Sequence, residues 1–550
     1  MDTTEETESS RNTPRLKEPP APELIATAYA REVGDAAILY TGMSLADLAH
    51  VVMLVEAGVM AKDMGAELAR ALLEIHPNPP LDFALDPARG DLYSNREAYL
   101  KMHTSAVGWL SAGRARREAT TIGYRIAVRA RLLAFAAALV DCAAAALDLA
   151  EAHRATLFPD YTYLQPAQPS AFGHYLLTFV YPILRDLDRL RAAFGRANVS
   201  PAGSGSVNGS RLPLDRARLA ELLGFEAVIP HTRDAMWQAD GPIEIAALLT
   251  AALVNLDRLA EDLQIFSTAE FGLVELADRH TRISVIMPQK KNPYSLAYVR
   301  GACGECIGLL AAMAVVGKTP SGQIDNRMFA YGDIPRALDT ATGAARLMAS
   351  VLRGLTVNAD RAARRAAEDF IGATDLAEVI MLKSGLDYKA AHDIVARAVR
   401  MALEAGLTTL TADLVNAAAV ETRHAASLRI MPEMIAEALD PARIVQTRTG
   451  TGGAAESSVT EMIAECRGML ADHAHWREAT EVRLQTAEMQ LLMIAAALHM
   501  ARPNPQPGGE QPPEPQARPE ERREPQSLEE TFDELFKDLP KPPNRRRFRT

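Results

Sequence analysis

Five long stretches of helical periodicity constrain the fold of this 550-residue chain more than any other feature. They cover residues 114–155, 168–197, 240–270, 294–316 and 333–356, and several are much longer than an ordinary protein helix. Ala and Leu occupy more than one face of these stretches, so each predicted helix needs other helices to cover it. Strand patterns are almost absent. We therefore expect an all-α fold with a central bundle of long helices that is extended by self-association.

Changes in pattern and composition divide the chain into five predicted parts. The first is a disordered tail, because it is polar and has too little apolar surface to fold alone. Three helical domains follow, and the first of them should contain a helix at 44–60 that is capped by Ser44. The last part is a Pro-rich tail. The predicted boundaries are 1–22, 23–112, 113–358, 359–500 and 501–550.

The C-terminal tail carries a separate structural signal. Residues 502–526 are Pro-rich and should be extended or disordered. A capping box at Ser527 then predicts a short helix over 527–539 with Leu and Phe side chains on one face. Three interpretations stay open for the segment 527–550: it docks into a groove on a protein partner, it folds back onto its own chain, or it is disordered.

Composition argues against several classes of partner and compartment. The net charge of −11 predicts neither nucleic-acid binding nor attraction to an anionic membrane. The longest apolar run, 132–150, is interrupted by Asp141 and Asp148, which argues against a membrane-spanning helix. No signal peptide is visible at the acidic start. The four cysteines suit a reducing cytosol, and the isolated pair Cys303 and Cys306 indicates packing rather than a metal site.

A polar run between two predicted helices carries the strongest chemical signal. Residues 282–293 read Arg-Ile-Ser-Val-Ile-Met-Pro-Gln-Lys-Lys-Asn-Pro, with Asn292 as the predicted N-cap of a helix that begins at Pro293. Such a helix start attracts anions. Lys290 beside it would stabilise the doubly charged intermediate that forms when a proton is removed next to a carboxylate, and Ser284 is the candidate base. The alternative is a solvated, Lys-rich turn.

This run resembles the signature loop of the fumarase/aspartase superfamily, and its Met-Pro-Gln-Lys-Lys-Asn-Pro core is similar to that of the argininosuccinate lyase branch. The family has Gly-Ser-Ser where this chain has Ile283-Ser284-Val285, so the resemblance implies that Ser284 is the catalytic base. The resemblance covers about residues 35–470. This resemblance also implies a twenty-helix core in a homotetramer whose active sites are each built from three subunits.

Three further segments resemble parts of the family's site. The stretch 113–118 is similar to Gly-Arg-Ser-Arg-Asn-Asp, which implies that Arg116 binds a substrate carboxylate and that Arg117 replaces a substrate-binding Asn. The stretch around Asn95 resembles a segment near the substrate, so Asn95 is a predicted substrate-binding residue. A turn at 203–205 is similar to the family's Gly-Ser-Gly-Ala turn.

The stretch 161–169 resembles the family's Thr-His-Leu-Gln motif with its following Ala-Gln-Pro, which implies substrate hydrogen bonds from Thr162 and Gln165. Tyr163 stands where the family has histidine, and Ala297 stands where it has the glutamate that pairs with that histidine. Losing both avoids a buried unpaired carboxylate, which would cost roughly several kcal/mol. Tyr163 is therefore the candidate acid. Unassisted departure of the leaving group, or loss of catalysis, are the alternatives.

The half of the site that would recognise arginine matches the family less well. Trp237 stands where the family has a small polar residue, and Ala239 stands where it has arginine. At Gln323, Ile324 and Asp325 the family's tyrosine and polar groups are also missing. The carboxylate half of the predicted site is therefore better preserved than the amine half.

Together these features predict a cytoplasmic, homotetrameric lyase that cleaves the C–N bond of an N-substituted aspartate by β-elimination and releases fumarate. By closest resemblance the small-molecule dicarboxylate substrate is argininosuccinate. The chemistry needs no metal and no organic cofactor. The alternative is a non-catalytic paralogue that keeps the lyase fold and acts as a binding or scaffold protein through its C-terminal tail.

Overall fold

A computed structural model describes residues 18–323, 325–423 and 429–500 of the chain. The predicted C-terminal tail with its helix at 527–539 lies outside the described residues, as does most of the predicted N-terminal tail. In the part that is described, helices dominate and the few strands form two-stranded pairs. This confirms the predicted all-α class.

The N-terminal part is built around one long buried helix. Its elements are α1 (Pro22–Leu24), a π-helix (Ile25–Tyr29), α2 (Ala30–Gly34), α3 (Ala36–Glu56), α4 (Lys62–Glu74), a 3-10 helix (Pro87–Arg89), α5 (Leu92–Leu100) and a second 3-10 helix (Ser105–Ser111). The predicted helix start at Ser44 is wrong. Ser44 is buried in the middle of α3, where its hydroxyl lies 3.2 Å from the His76 ring, because the apolar pattern continues upstream without a helix breaker.

The central part contains the five predicted long helices. Its elements are α6 (Arg116–Ala152), β1 (Leu157–Thr162), β2 (Gln165–Ala171), α7 (Phe172–Ala197), β3 (Val199–Ser200), α8 (Arg216–Leu222), β4 (Ala227–Val228), α9 (Thr232–Trp237), α10 (Asp240–Phe266), β5 (Val274–Glu275), a 3-10 helix (Asp278–His280), β6 (Arg282–Ile283), β7 (Lys291–Asn292), α11 (Tyr294–Gly317), α12 (Asp325–Arg353) and β8 (Thr356–Val357). Helix α6 packs against α3, α7 and α12, and α10 packs against α11 and α12. These helices share one large apolar core.

Two predicted boundaries in the central part differ from the observed ones. The helix expected from residue 168 begins only at Phe172, because residues 165–171 pair with β1 in an antiparallel hairpin. The prolines at 166 and 169 suit this extended backbone and oppose a helix. Helix α12 begins at Asp325, eight residues before the predicted start at residue 333.

The C-terminal part holds a small helical cluster and one very long helix. Its elements are α13 (Ala359–Arg365), α14 (Ala373–Ser384), α15 (Tyr388–Glu404), α16 (Ala412–Glu421), α17 (Pro432–Ala438), α18 (Pro441–Gln446) and α19 (Glu456–Met500). Helices α14 to α17 enclose their own apolar core. Helix α19 leaves that cluster and packs along α4, α6 and α7. Its first half joins the central core and its second half joins the N-terminal core. The domain boundaries stay a prediction.

Helices α3 and α6 cross with their backbones in contact. A Cβ placed on Gly42 would lie 2.7 Å from the Gly123 carbonyl oxygen and 2.8 Å from the Gly123 Cα. A Cβ on Gly123 would lie 2.9 Å from the Met43 side chain. Only glycine permits this approach, which sets the position of α6 against α3.

Helix α11 has an apolar face that one chain leaves open. By length and composition α3, α6 and α11 are each apolar enough to cross a membrane, but 83% and 61% of the apolar windows of α3 and α6 are buried inside the chain. In α11 only 28% is buried. Ile307 and Val315 on this helix are 50% and 70% exposed. Within the described part of one chain, nothing covers this face.

Candidate functional site

The predicted catalytic loop is the tip of a short hairpin. Strands β6 and β7 pair Arg282 with Asn292, so residues 284–290 form the loop between them. The Asn292 amide donates to the Arg282 carbonyl at 2.8 Å across the hairpin. The predicted cap is therefore wrong: Pro293 occupies the N-cap position, no side chain caps it, and α11 begins at Tyr294. The cross-strand hydrogen bond from the Asn292 side-chain nitrogen holds the carboxamide against the hairpin, and its oxygen does not cap the helix.

Ser284 lies at the start of this loop. Its hydroxyl oxygen accepts a hydrogen bond of 3.2 Å from the backbone N–H of Met287. A backbone donor on this oxygen favours the alkoxide over the alcohol, which is what a catalytic base needs. Val285 and Ile286, which follow it, are 98% and 83% exposed. The loop tip is thus an apolar surface in a single copy of the chain.

The two lysines of the loop have different environments. Lys291 forms ion pairs with Glu275 at 2.9 Å and Asp278 at 2.8 Å, and these hydrogen-bonded carboxylates raise the pKa of Lys291. Lys290 is exposed and, among the described residues, has no ion-pair partner. Of the two lysines, Lys290 is therefore the one whose ammonium is not already paired with a carboxylate in the part of the chain that is described.

The second predicted site segment is the tip of the hairpin formed by β1 and β2. Thr162 pairs with Gln165, and Tyr163 and Leu164 form the turn between them. Both turn residues have positive φ angles, 56° and 58°, a conformation that costs a non-glycine residue roughly 1–2 kcal/mol. Tyr163 is 99% exposed. The structure therefore presents the three predicted residues of this hairpin outward, on a strained turn.

The third predicted segment opens onto a cavity at the start of α6. Its charged lining consists of three guanidinium groups and three carboxyl groups, from Arg116, Arg117, Arg327, Glu32, Asp35 and Asp91. Arg116 lies 3.6 Å from Asp91. Arg117, which replaces the Asn expected by resemblance, shares the cavity with Arg116. The structure thus brings these two predicted residues together and adds Arg327, Glu32 and Asp35, which the sequence did not single out.

Burial and like charges perturb this cavity. Burial raises the pKa of Glu32, and the neighbouring Asp91 carboxylate raises it further. Burial also lowers the pKa of Arg117, with added repulsion from the guanidiniums of Arg327 and Arg116. The cavity therefore places three guanidinium groups and three carboxyl groups close enough to shift one another's pKa values.

Asn95 has a different role from the one expected. Its side chain is 1% exposed. Its amide donates to the carbonyls of Asp86, Gly90 and Asp91, and its oxygen accepts from the Asp86 N–H at 2.8 Å. The hydrogen bonds of the carboxamide are therefore made to the backbone of the loop that carries Asp91. Asn95 positions a cavity residue and does not offer its own amide to the cavity.

A buried ionic cluster fixes the chain just before α6. Asp47 on α3 accepts from Arg96 at 3.0 Å and from Arg114 at 2.6 Å, and all three side chains are at most 2% exposed. Arg114 also donates to the carbonyls of Leu110 and Ala46. Because Arg114 lies two residues before the helix start, this cluster sets where Arg116 and its neighbour enter the cavity.

Glu118 connects α6 to the turn at 203–205. Its carboxylate accepts hydrogen bonds from the backbone N–H groups of Gly203 at 2.7 Å and Gly205 at 2.6 Å. Both glycines have positive φ angles of 74° and 67°. Burial raises the pKa of Glu118 to about 7. Resemblance had indicated the segment 113–118 and the turn at 203–205 separately. The hydrogen bonds from the turn to Glu118 are visible only in the structure.

The three predicted segments do not meet within one copy. No hydrogen bond or ion pair joins the loop at 284–290, the hairpin tip at Tyr163 and the start of α6 among the residues that the structure describes. Each of the three presents an exposed side chain: Val285 in the loop, Tyr163 in the hairpin and Arg116 at the helix start. A site that uses all three would need contributions from more than one chain.

Comparison with known proteins places the chain among lyases. Residues 53–308 match a family model described as lyase, and residues 370–446 match one described as argininosuccinate lyase C-terminal. The argininosuccinate lyase of Methanoculleus marisnigri is 35% identical over 454 residues, which is 82% of this chain and 92% of that protein. That of Methanocaldococcus jannaschii is 31% identical over 458 residues, covering 83% of this chain and 92% of that protein.

Solved structures agree in fold. EDDS lyase in complex with formate is 30% identical with a TM-score of 0.79, and the match covers 89% of this chain and 98% of that one. The 3-carboxy-cis,cis-muconate lactonizing enzyme from Pseudomonas putida is 20% identical with a TM-score of 0.62, over 80% of this chain and 99% of that one. The second match supports the fold alone.

Proposed function

Because the chain belongs to the argininosuccinate lyase branch of the fumarase/aspartase superfamily, we propose that it cleaves the C–N bond of an N-substituted aspartate by β-elimination and releases fumarate. Argininosuccinate is the first substrate to test, since the curated relatives carry that activity in their names. The observation that carries the proposal is the cavity that Arg116 and Arg117 share at the start of α6.

The proposed elimination begins with binding of the succinyl half. The guanidinium of Arg116, together with Thr162, Gln165 and Asn292, holds its carboxylates, and the planar fork of arginine suits this task. Fixing the substrate in this way places the acidic C–H bond beside the base and removes the need for solvent to reorganise. No metal is needed for these contacts.

Ser284 then removes the proton from the carbon next to the distal carboxylate. The charge that develops on that carboxylate is stabilised by Lys290, whose ammonium has no competing ion pair in the described part of the chain. The electron pair forms the C=C bond of fumarate as the C–N bond breaks. Tyr163 is the candidate donor of the proton that the departing nitrogen takes up.

A homotetramer with shared sites accounts for two features of the single chain. The open apolar face of α11, with Ile307 and Val315 exposed, needs a partner surface. The loop tip at Val285 and the hairpin tip at Tyr163 are also exposed, although both belong to the proposed site. Contact between copies would bury these surfaces and complete the site. We place the enzyme in the cytoplasm, where its free cysteines stay reduced.

The test is fumarate release from argininosuccinate, followed by the ultraviolet absorbance of fumarate. Ser284→Ala should abolish release, whereas Ser267→Ala should not, because the Ser267 hydroxyl binds the Gln264 carbonyl at the end of α10. Tyr163→Phe should lower kcat by roughly 10²-fold or more if this residue is the acid. Full activity in Ser284→Ala would refute the assignment of the base.

A second set of variants addresses the missing His–Glu pair. A Tyr163→His, Ala297→Glu double substitution should raise the rate if that pair limits catalysis, and an unchanged rate would point to a different acid. Absence of fumarate from a panel of N-substituted aspartates would favour the alternative, a non-catalytic binding or scaffold protein.

Deleting residues 501–550 should leave the tetramer intact, as measured by sedimentation.

A further inference from the structure

A second cavity lies between α6 and the long helix α19. Side chains from α3, α8 and α12 complete its lining. It measures about 340 Å³, as the space that the centre of a water-sized sphere can reach, and this volume is within the range of small-molecule sites. None of its lining residues takes part in the proposed elimination. The cavity is therefore available to a different ligand.

The lining of this cavity is mostly aliphatic. Its large apolar side chains are Leu45, Ile126, Leu133, Leu222, Leu484 and Leu491. Such a surface binds the apolar part of a ligand by removing it from water. The volume corresponds to roughly eleven water molecules at about 30 Å³ each, and leucine has a similar number of non-hydrogen atoms.

Arg129 on α6 brings a buried positive charge to the cavity. The residue is 5% exposed. Its guanidinium donates to the Asn198 side-chain oxygen at 2.9 Å and to the Leu223 carbonyl at 3.0 Å, and its Nε atom has no partner among the described residues. No carboxylate forms an ion pair with it in that part of the chain, and burial lowers the pKa of Arg129 to about 9. Several N–H donors and the charge itself are thus left unmatched.

Glu488 on α19 brings a negative charge to the same cavity. The residue is half-buried and, within the described ranges, has neither a hydrogen bond nor an ion pair. Burial raises the pKa of Glu488, and the Arg129 guanidinium opposes that rise without touching the carboxylate. Of the other charged lining residues, Arg477 and Glu481 pair with each other at 2.6 Å and Arg346 is exposed. The cavity therefore presents one unpaired cation and one unpaired anion across an aliphatic surface.

We propose that this cavity binds a free α-amino acid with an apolar side chain. Its carboxylate would accept hydrogen bonds from Arg129, its ammonium would donate to Glu488, and its side chain would pack among the leucines. A fatty acid would leave Glu488 unpaired, and an alkylamine would leave Arg129 unpaired. The site is independent of the proposed lyase reaction. Because α6 and α19 each supply one charge, the bound amino acid would join the two helices and stabilise the folded chain.

The experiment is calorimetric titration of the full-length protein with three compounds that share one carbon skeleton. L-Leucine carries both charges, 4-methylpentanoate lacks the ammonium, and 3-methylbutylamine lacks the carboxylate. Leucine should bind roughly 10- to 100-fold more tightly than either of the other two, because each of them loses a charged hydrogen bond. Leucine should also raise the melting temperature in a concentration-dependent manner.

Two variants locate the bound leucine. Glu488→Gln should weaken leucine binding to the level of 4-methylpentanoate and leave the binding of 4-methylpentanoate unchanged. Ala134→Phe places a ring in the cavity that Ala134 lines, so it should remove the binding of leucine. Glu478→Gln is the matched control on α19: Glu478 pairs with Arg477 at 3.1 Å, is 67% exposed and does not line the cavity. This control should bind leucine as the unaltered protein does.

Three outcomes would overturn the proposal. The first is no binding of leucine up to roughly 10 mM. The second is 4-methylpentanoate binding as tightly as leucine, and neither of these measurements requires a variant to fold. The third is unchanged leucine binding in both Glu488→Gln and Ala134→Phe, which would place the bound leucine elsewhere. Fumarate release is measured separately, and its absence would remove the proposed function while leaving this site intact.

Discussion

The substitution Asp47→Asn tests how the start of α6 is held in place. Asp47 is the shared partner of Arg96 and Arg114, and all three side chains are at most 2% exposed. Asparagine keeps the shape of the side chain and removes its charge. Arg96 would lose its carboxylate partner, and its Nε and Nη1 atoms already lack hydrogen bonds among the described residues, so the Tyr40 ring, 4.8 Å from its guanidinium carbon, would be its remaining contact there.

Two estimates give the same size of effect. Breaking a buried ion pair by neutralising one member costs about 3–5 kcal/mol. Counted as hydrogen bonds to charged groups, the two contacts contribute about 1.5–3 kcal/mol each. We therefore expect the free energy of unfolding to fall by about 3–5 kcal/mol. Because Arg114 precedes Arg116 by two residues, amide hydrogen exchange in the first turn of α6 should also accelerate.

The assay is urea unfolding followed by circular dichroism at one protein concentration. Asp339→Asn is the matched control, since Asp339 pairs with Arg131 at 3.0 Å but is 58% exposed. An exposed pair of this kind contributes up to about 1 kcal/mol. A loss below about 1 kcal/mol for Asp47→Asn, or a loss equal to that of the control, would refute the argument that this cluster anchors the helix.

Three further predictions follow from the fold. Burial raises the pKa of Glu118 from 4.5 to about 7, so the folded state holds the carboxyl proton more tightly than the unfolded state does. The free energy of unfolding should therefore fall by about 3 kcal/mol as the pH rises from 4.5 to 7. Glu118→Gln should flatten this pH dependence, and an unchanged slope would contradict the prediction. Gly42→Ala should destabilise the protein by about 1–3 kcal/mol in urea, because its Cβ would lie 2.7 Å from the Gly123 carbonyl oxygen; no loss would mean that the helices can separate freely. Ile307→Glu should dissociate the proposed tetramer in sedimentation experiments, while Val420→Glu, 64% exposed on α16, should not. An Ile307→Glu protein that sediments as the unaltered protein does would contradict the proposed interface at α11.

Helix interiors were more predictable than helix ends. The five long helices follow from periodicity, because apolar side chains at helical spacing must be buried whatever their partners are. Capping is a local pattern that tertiary contacts can override. Ser44 resembles a cap but lies inside α3, and Asn292 gives its amide to a cross-strand carbonyl. The helix that was predicted from residue 168 begins only at Phe172, because the prolines of the hairpin favour an extended backbone.

The candidate site also contains features that the sequence predicts and features that only the structure shows. Motif resemblance predicted Ser284 as the base and Arg116 as a carboxylate ligand, because each motif is a contiguous segment of the chain. The same reasoning put Asn95 among the ligands, since a sequence does not show which carbonyls its amide faces. It passed over Arg327, whose segment matched no expected pattern and which meets Arg117 only through the packing of α12 on α6.

The amino-acid sequence alone determined that this chain is a helical lyase of the fumarase/aspartase type, because helical periodicity and short motifs are properties of neighbouring residues. Only the tertiary structure decided that Glu118 holds the turn at 203–205, that Asp47 anchors the start of α6 and that Arg327 completes a cavity of three guanidiniums. These are contacts between residues far apart in the chain, and their energies depend on burial, which exists only after the helices have packed.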